Sequence, residues 1–198
     1  MPSSTPRAQQ ILETAMDLAE TQGVGGVTTA ALARRLEFTE AALYRYYSGK
    51  GGILVAALEH LGERLLATML LEIDVAAVGQ AEHVAAQLTH HVNRFAHRQG
   101  LLIELLLFAA ANRAEELREA ANAFLQEYRQ RMTVHFAQLQ ERNLANPTVT
   151  PEELGRMWIC QLLGGFLHCR LTGEPWQPAE QAGFRAFCQA VRPPPPTP

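Results

Sequence analysis

The spacing of apolar residues constrains the fold of this chain more than any other feature. Apolar residues recur at intervals of three and four, as Ile11, Ala15 and Leu18 do, which places them on one face of an α-helix. Almost no stretch alternates with the two-residue period of a strand, and β-branched residues are sparse outside 24–29 and 147–150. The sequence therefore predicts an all-α protein.

Glycines, prolines and capping residues divide this pattern into helices. We expect a first helix at about 6–22, then short helices at 30–36 and 40–46, and a longer one from Lys50. Further helices are predicted at about 79–98, 100–112, 114–145, 150–172 and 177–191. The prolines near the end cannot be helical. We therefore predict an N-terminal domain over 1–50, a C-terminal helical bundle over 51–192 and a disordered proline-rich tail over 193–198.

The stretch 27–54, VTTAALARRLEFTEAALYRYYSGKGGIL, has the pattern of a helix-turn-helix. Two short helices are separated by about three residues, and the small Ala33 allows the second helix to approach the first. A small core is expected from the apolar and aromatic residues of both helices, namely Leu32, Leu36, Phe38, Leu43 and Tyr47. The stretch therefore predicts two helices of which the second enters a DNA groove.

The outer face of the second helix carries the residues that would meet DNA. Short side chains near its start let the backbone approach a major groove, while hydroxyls and a guanidinium reach phosphates and base edges. This face comprises Thr39, Glu40, Ala41, Tyr44 and Arg45. Thr28 and Thr29 open the preceding helix, where free N–H groups attract a phosphate, and Lys50 opens the following one.

The segments TTAALARRL, TEAALYRYY, GK and IL, in this order, resemble the DNA-binding domain of the TetR family of transcriptional regulators over about residues 9–58. The resemblance implies a homodimeric regulator, typically a repressor that a small-molecule effector releases from an inverted-repeat operator. It assigns phosphate contacts to Thr29, Tyr44, Tyr46 and Lys50. It assigns base contacts or close approach to Thr39, Glu40, Ala41 and Arg45. We include Arg34 in the predicted DNA-binding set.

Five positions depart from the family pattern, one of them Tyr46, where the family commonly has His. Glu37 stands where the turn usually has Gly, so either a non-Gly residue adopts a positive φ or the turn differs. Gly49 replaces the usual hydroxyl cap before Lys50, and Gly51 and Gly52 replace a common acidic pair. Because glycine disfavours a helix, we expect the first turn after residue 49 to fray without DNA.

Charge and composition restrict the function further. The net charge is -3, and residues 1–50 sum to zero, which excludes a polycation bound to DNA by bulk charge. No nucleophile elbow, HExxH, P-loop or GxGxxG sequence occurs, so we expect neither an enzyme nor a metal or cofactor site. The odd set of three cysteines indicates reduced thiols, and no stretch suits a signal peptide or membrane helix. We expect a cytoplasmic, nucleoid-associated protein.

The C-terminal half is predicted to hold the dimer interface and an effector pocket. Residues 154–169 are apolar almost all round, which suggests contacts with both an internal core and a partner. The predicted interface residues are Trp158, Leu162, Gly165, Phe166, Cys169, Phe184 and Phe187. The predicted pocket residues are His90, Phe95, Phe108, Tyr128 and Phe136, although histidines at this spacing also suit a surface stripe and the aromatics also suit a core.

An alternative keeps the fold and changes the role. The EAALYR stretch, ERNLA after a long helix and a cysteine-containing penultimate helix loosely resemble the nucleoid occlusion factors of the same family. That resemblance implies a DNA-binding inhibitor of cell division that contacts the tubulin-like division protein.

Overall fold

The computed structural model of the 198-residue chain describes residues 5–72, 100–112, 114–174, 186 and 191. All regular structure in these ranges is helical, which confirms the all-α prediction. We label the helices α1 (Pro6–Gly26), α2 (Thr29–Leu36), α3 (Glu40–Leu43), α4 (Lys50–Glu72), α5 (100–111), α6 (Glu115–Glu141) and α7 (Pro151–Thr172). The predicted helix at 79–98 lies outside the described residues, as does all of 177–191 except the helical residues 186 and 191.

Helix α1 begins where the sequence predicts and ends later. The Thr5 hydroxyl accepts from the Ala8 N–H at 3.3 Å, and Pro6 occupies the first turn, where its missing N–H costs nothing. Gly23 leaves helical geometry, with φ 74° and ψ 164°, but the chain resumes a turn that reaches Gly26. The glycines therefore kink the helix before they end it.

Helix α6 ends earlier than the predicted residue 145. Asn143 adopts a left-handed conformation with φ 57°, and the Leu144 N–H closes the end by donating to the Leu139 carbonyl at 2.8 Å. Asparagine tolerates this conformation better than most residues, so the chain turns out of the helix here.

The chain divides into two compact units, Met1–Leu65 with His97–Phe124, and Leu66–Ala96 with Leu125–Pro198. The core of the first unit is apolar and comes from α1, α2, α4 and α5, with fully buried Ile11, Met16, Leu32, Ile53 and Leu105. At Gly62 of α4, an added Cβ would lie 2.7 Å from the Phe124 ring of α6, so glycine permits the close approach of the two helices. The predicted boundary at residue 50 remains a prediction.

The second unit is built on α6 and α7. Thr150 and Glu153 form a reciprocal capping box at the start of α7, as the TPEE sequence favours. Gly155 lies against Met132, while Leu154 and Trp158 are buried. None of the described helices combines the length and hydropathy that a bilayer crossing requires.

Candidate nucleic-acid interface

The turn between α2 and α3 is closed by a non-glycine residue in a left-handed conformation. Glu37 has φ 57° and ψ 37°, and the next N–H, that of Phe38, donates to the Ala33 carbonyl at 2.8 Å. Of the two alternatives left by the sequence, the positive φ is the one the structure shows. Such a conformation costs a non-glycine residue roughly 1 kcal/mol, which the caps and core on either side must offset.

Threonine hydroxyls cap both helices of the motif. Thr28 Oγ1 accepts from the Ala31 N–H at 3.1 Å, and Thr39 Oγ1 accepts from the Ala42 N–H at 3.2 Å. Each hydroxyl keeps its proton, because capping uses only an oxygen lone pair. Both threonines are exposed, so both can still donate to a phosphate oxygen.

Helix α3 is shorter than predicted. Regular α-helix covers only Glu40–Leu43, and Tyr44 to Tyr46 form turns, with the Arg45 and Tyr46 N–H groups donating three residues back. Tightening of the last turn in this way is common at helix ends. In this turn Tyr44 is 58% exposed, Tyr46 is 39% exposed, and Arg45 is also exposed.

The Glu40 carboxylate is joined to the preceding helix. Thr29 Oγ1 donates to Glu40 Oε2 at 2.7 Å, a charge-assisted hydrogen bond across the turn. The bond uses the single hydroxyl proton of Thr29, so in this arrangement only its backbone can donate to a phosphate. Glu40 therefore holds α2 and α3 together, in addition to any contact with a base.

The partly exposed Lys50 side chain is held by contacts within the protein. Its Nζ donates to the Gly25 carbonyl at 2.9 Å and lies 5.5 Å from the centre of the Phe108 ring of α5. Burial lowers the pKa of the Lys50 ammonium below its usual value. The side chain joins the end of α1, the start of α4 and α5. Only one of its three ammonium protons is used on Gly25, so the others can still donate to a phosphate.

Tyr47 anchors the start of α1 to the motif. Its hydroxyl donates to the Ala8 carbonyl at 3.0 Å, and burial raises the pKa of this phenol. Gly49 follows with φ 102°, and a Cβ there would lie 3.3 Å from the Tyr44 ring. Glycine at 49 thus supplies a conformation that the usual hydroxyl cap residue would rarely adopt.

Apart from Lys50, the cationic side chains of the helix-turn-helix stretch 27–54 are arginines. Arg34, Arg35 and Arg45 are exposed, and in the part of the chain that the structure describes none of them forms an ion pair with a carboxylate. Sequence reasoning gave no role to Arg7, whose guanidinium lies 5.0 Å from the centre of the Phe38 ring. No local signal could have found this contact, because Arg7 lies in α1 and Phe38 in the turn between α2 and α3, far apart in sequence.

The residues predicted to line an effector pocket occupy separate environments. Phe108 is half-buried beside Lys50, while Tyr128 and Phe136 are buried in the second unit. His90 and Phe95 lie outside the described residues. Their role as a pocket remains a prediction.

The predicted interface residues of α7 also differ from one another. Trp158 is 3% exposed, and its Nε1–H donates to the Tyr128 hydroxyl at 2.9 Å, so it has little surface left for a second copy. Part of the surface of each of four others is exposed, namely Leu162, Gly165, Phe166 and Cys169. Phe184 and Phe187 lie outside the described residues.

Comparisons with known proteins agree with this geometry. Residues 11–57 match the family model of the bacterial regulatory proteins of the tetR family. The multidrug binding protein EbrR, solved with imidazole, is 18% identical with a TM-score of 0.68, and the match covers 98% of each chain. A second structure of EbrR, with ethidium, is 19% identical with a TM-score of 0.66, covering 93% of this chain and 98% of that one.

The regulatory protein TetR from Rhodobacter sphaeroides is 19% identical with a TM-score of 0.70, covering 93% of this chain and 98% of that one. No curated protein sequence matches the chain. At these identities the solved structures show the fold alone, and the family match is confined to residues 11–57. Residues 11–57 thus match the tetR family of bacterial regulatory proteins, and the described helices share the fold of solved regulators of that family.

Proposed function

We propose that this protein is a transcriptional repressor that binds an inverted-repeat operator as a homodimer and is released by a small-molecule effector. The observation that carries the DNA-binding part is the exposed surface of the motif. Thr28 and Thr39 cap the two helices with free hydroxyl protons. Tyr44 and Arg45 are exposed, and Arg45 forms no ion pair among the described residues. Hydroxyls position a protein on phosphates, and a guanidinium suits the edge of a guanine.

Helix α7 supports the homodimer. Although 159–172 is largely apolar, no residue of this segment is buried within the protomer. The exposed face of α7 contains Met157, Cys160, Gly164, Leu167 and Leu171, spaced alternately by three and four residues. This face differs from the set predicted from the sequence, whose α7 members Leu162, Gly165, Phe166 and Cys169 are half-buried. Apolar residues at spacings of three and four line the seam between two packed helices, and the open space around Gly164 permits a second helix to approach closely. A second copy of α7 has the same face, as a two-fold interface requires.

The effector is the third part of the proposal. EbrR has been solved with imidazole and with ethidium, both small organic molecules. We infer that this chain also binds a small organic molecule through its residues beyond 50. Such a ligand lowers operator affinity only by the difference between its affinities for the DNA-binding and the DNA-free states. The comparisons with known proteins give no support to the cell-division role.

The DNA-binding proposal is tested at Tyr44. Duplexes that the wild-type protein selects from a randomised pool supply the operator, and fluorescence anisotropy measures the dissociation constant. Tyr44→Ala should weaken binding about tenfold, or ~1.4 kcal/mol. Tyr44→Phe, the matched control, removes the hydroxyl alone and should lose less. Unchanged binding by Tyr44→Ala, with the oligomer intact, contradicts the assignment.

The dimer proposal is tested at the exposed face of α7. Leu167→Glu and Leu171→Glu place charges in the proposed seam, and sedimentation should then detect monomers that bind the selected duplex weakly. Val134→Glu is the matched control, because Val134 is a 50% exposed apolar residue on α6. Dimers that persist in both leucine variants contradict an interface on this face.

A further inference from the structure

The inference concerns a cation outside the helix-turn-helix. Arg7 lies in the first turn of α1, before the segment that matches the family model, and its side chain is exposed. Its Cζ is 5.0 Å from the centre of the Phe38 ring. Phe38 directly precedes Thr39, the N-cap of α3. The fold thus brings a guanidinium from α1 to the beginning of the helix that faces DNA.

The surroundings of Arg7 restrict where its charge can lie. Thr5 caps the turn that carries it, and the Tyr47 hydroxyl holds the neighbouring Ala8 carbonyl at 3.0 Å. Phe38 is half-buried and provides a ring face against which the guanidinium packs. The backbone of α1 and the ring of the turn therefore fix both ends of the side chain.

This arrangement leaves the donors of Arg7 available. A guanidinium that packs on a ring with its face keeps five N–H donors along its edge, in a geometry that fits two phosphate oxygens. No carboxylate is paired with Arg7 in the described ranges. A structural cation–π contact alone would not need the Arg7 side chain to be exposed.

We propose that Arg7 is an additional phosphate contact of the DNA interface, supplied by α1 and positioned by Phe38. The inference rests on the proposed DNA-binding function. The charge of Arg7 matters for DNA binding because residues 1–50 carry no net charge. Individual fixed cations must therefore supply the electrostatic part of binding. A cation that neutralises one phosphate contributes about 0.9 to the slope of log K against log salt, or about 2 for a dimer.

The test compares variants of the full-length protein on two probes. One probe is the duplex that the wild type selects from a randomised pool, and the other is a mixed-sequence duplex of about 30 base pairs. Dissociation constants are measured from low salt to about 0.2 M, and thermal unfolding is recorded for each variant. Arg7→Gln removes the charge, Arg7→Lys keeps it, and Phe38→Leu removes the ring but keeps Arg7. Arg129→Gln, at an exposed arginine of α6, is the matched control.

We expect Arg7→Gln to weaken both probes by a similar factor, about 3- to 10-fold per dimer, and to reduce the salt slope by about 2. Arg7→Lys should keep the wild-type salt slope. Phe38→Leu should also keep this slope but bind both probes somewhat more weakly. Arg129→Gln should match the wild type. A variant Arg7→Gln with wild-type affinity and slope overturns the inference. The inference is also overturned if Arg7→Gln loses affinity in proportion to its loss of thermal stability while the salt slope stays constant. A purely structural contact would give that result.

The experiment distinguishes a failure of the DNA-binding function from a failure of the Arg7 inference. If the wild type binds neither probe, the DNA-binding function fails, and the inference with it. If the wild type binds and Tyr44→Ala weakens it while Arg7→Gln does not, only the phosphate contact of Arg7 is refuted.

Discussion

Replacing Glu40 by Gln distinguishes a carboxylate that contacts a base from one that holds the motif together. In the structure, Glu40 Oε2 accepts from Thr29 Oγ1 at 2.7 Å. The amide oxygen of Gln can accept the same hydrogen bond, while the negative charge is lost. If Glu40 acts through Thr29, Glu40→Gln should retain the fold of the motif and bind DNA more tightly than the wild type.

The gain can be estimated from Coulomb's law. A carboxylate about 7 Å from a phosphate in water costs roughly 0.6 kcal/mol, and the two protomers of a dimer double this. Screening at about 0.1 M salt removes around half of it. Glu40→Gln should therefore improve affinity about threefold at this salt concentration and up to about eightfold at lower salt, for selected and mixed-sequence duplexes alike.

A double-mutant cycle isolates the hydrogen bond. Thr29→Val removes the donor and keeps the shape of the side chain, and the cycle with Glu40→Ala measures the coupling in the free energy of unfolding. An exposed charge-assisted bond should give about 0.5–1 kcal/mol. Anisotropy titrations on both duplexes and urea unfolding supply the data. The reasoning is refuted if Glu40→Gln loses affinity for the selected duplex alone, since that would indicate a base contact, or if the coupling is zero.

Three further predictions concern stability and local opening. Tyr128→Phe removes the acceptor 2.9 Å from the Trp158 indole nitrogen and should lower the free energy of unfolding in urea by about 1–3 kcal/mol; wild-type stability would contradict this. Burial lowers the pKa of His135 to about 4, below the ordinary value of about 6.5, so stability is fully present above about pH 6.5 and is lost as the pH falls toward 4. His135→Gln should flatten this dependence, and equal pH slopes in the two proteins would argue against it. The adjacent glycines of residues 50–54 should let this turn exchange amide hydrogens rapidly without DNA, whereas firm protection in the free protein would exclude fraying.

The local features of the helix-turn-helix could be predicted from the sequence. Threonines 28 and 39 cap their helices because a hydroxyl at that position meets N–H groups of its own first turn. The positive φ of Glu37 followed as one of two alternatives from a position that normally needs glycine. Such features depend on residues within four positions of one another, so the sequence contains the information directly.

Contacts between distant residues could not be predicted. Lys50 has the position and charge of a phosphate contact, yet it reaches the Gly25 carbonyl because α1 ends beside the start of α4. Trp158 belongs to an apolar helix that suits an interface, but the Tyr128 hydroxyl draws its indole into the core. In each case the side chain has two chemically reasonable partners, and the tertiary packing determines which of them it contacts.

These contacts change which residues can supply charge to a DNA complex. Of the four phosphate contacts that the family resemblance assigned, Thr29 donates to Glu40, Lys50 donates to Gly25, and Tyr44 and Tyr46 offer hydroxyl groups. Neutral hydroxyls position the protein but release few counterions, so they contribute little to a salt slope. The Lys50 ammonium keeps its charge when it donates to the Gly25 carbonyl, and among the described residues of α1 to α3 and the turn that follows the other exposed cations are Arg7, Arg34, Arg35 and Arg45. A slope that survives Lys50→Met and falls with the arginine variants would show that these arginines, rather than Lys50, supply most of the charge that neutralises phosphates.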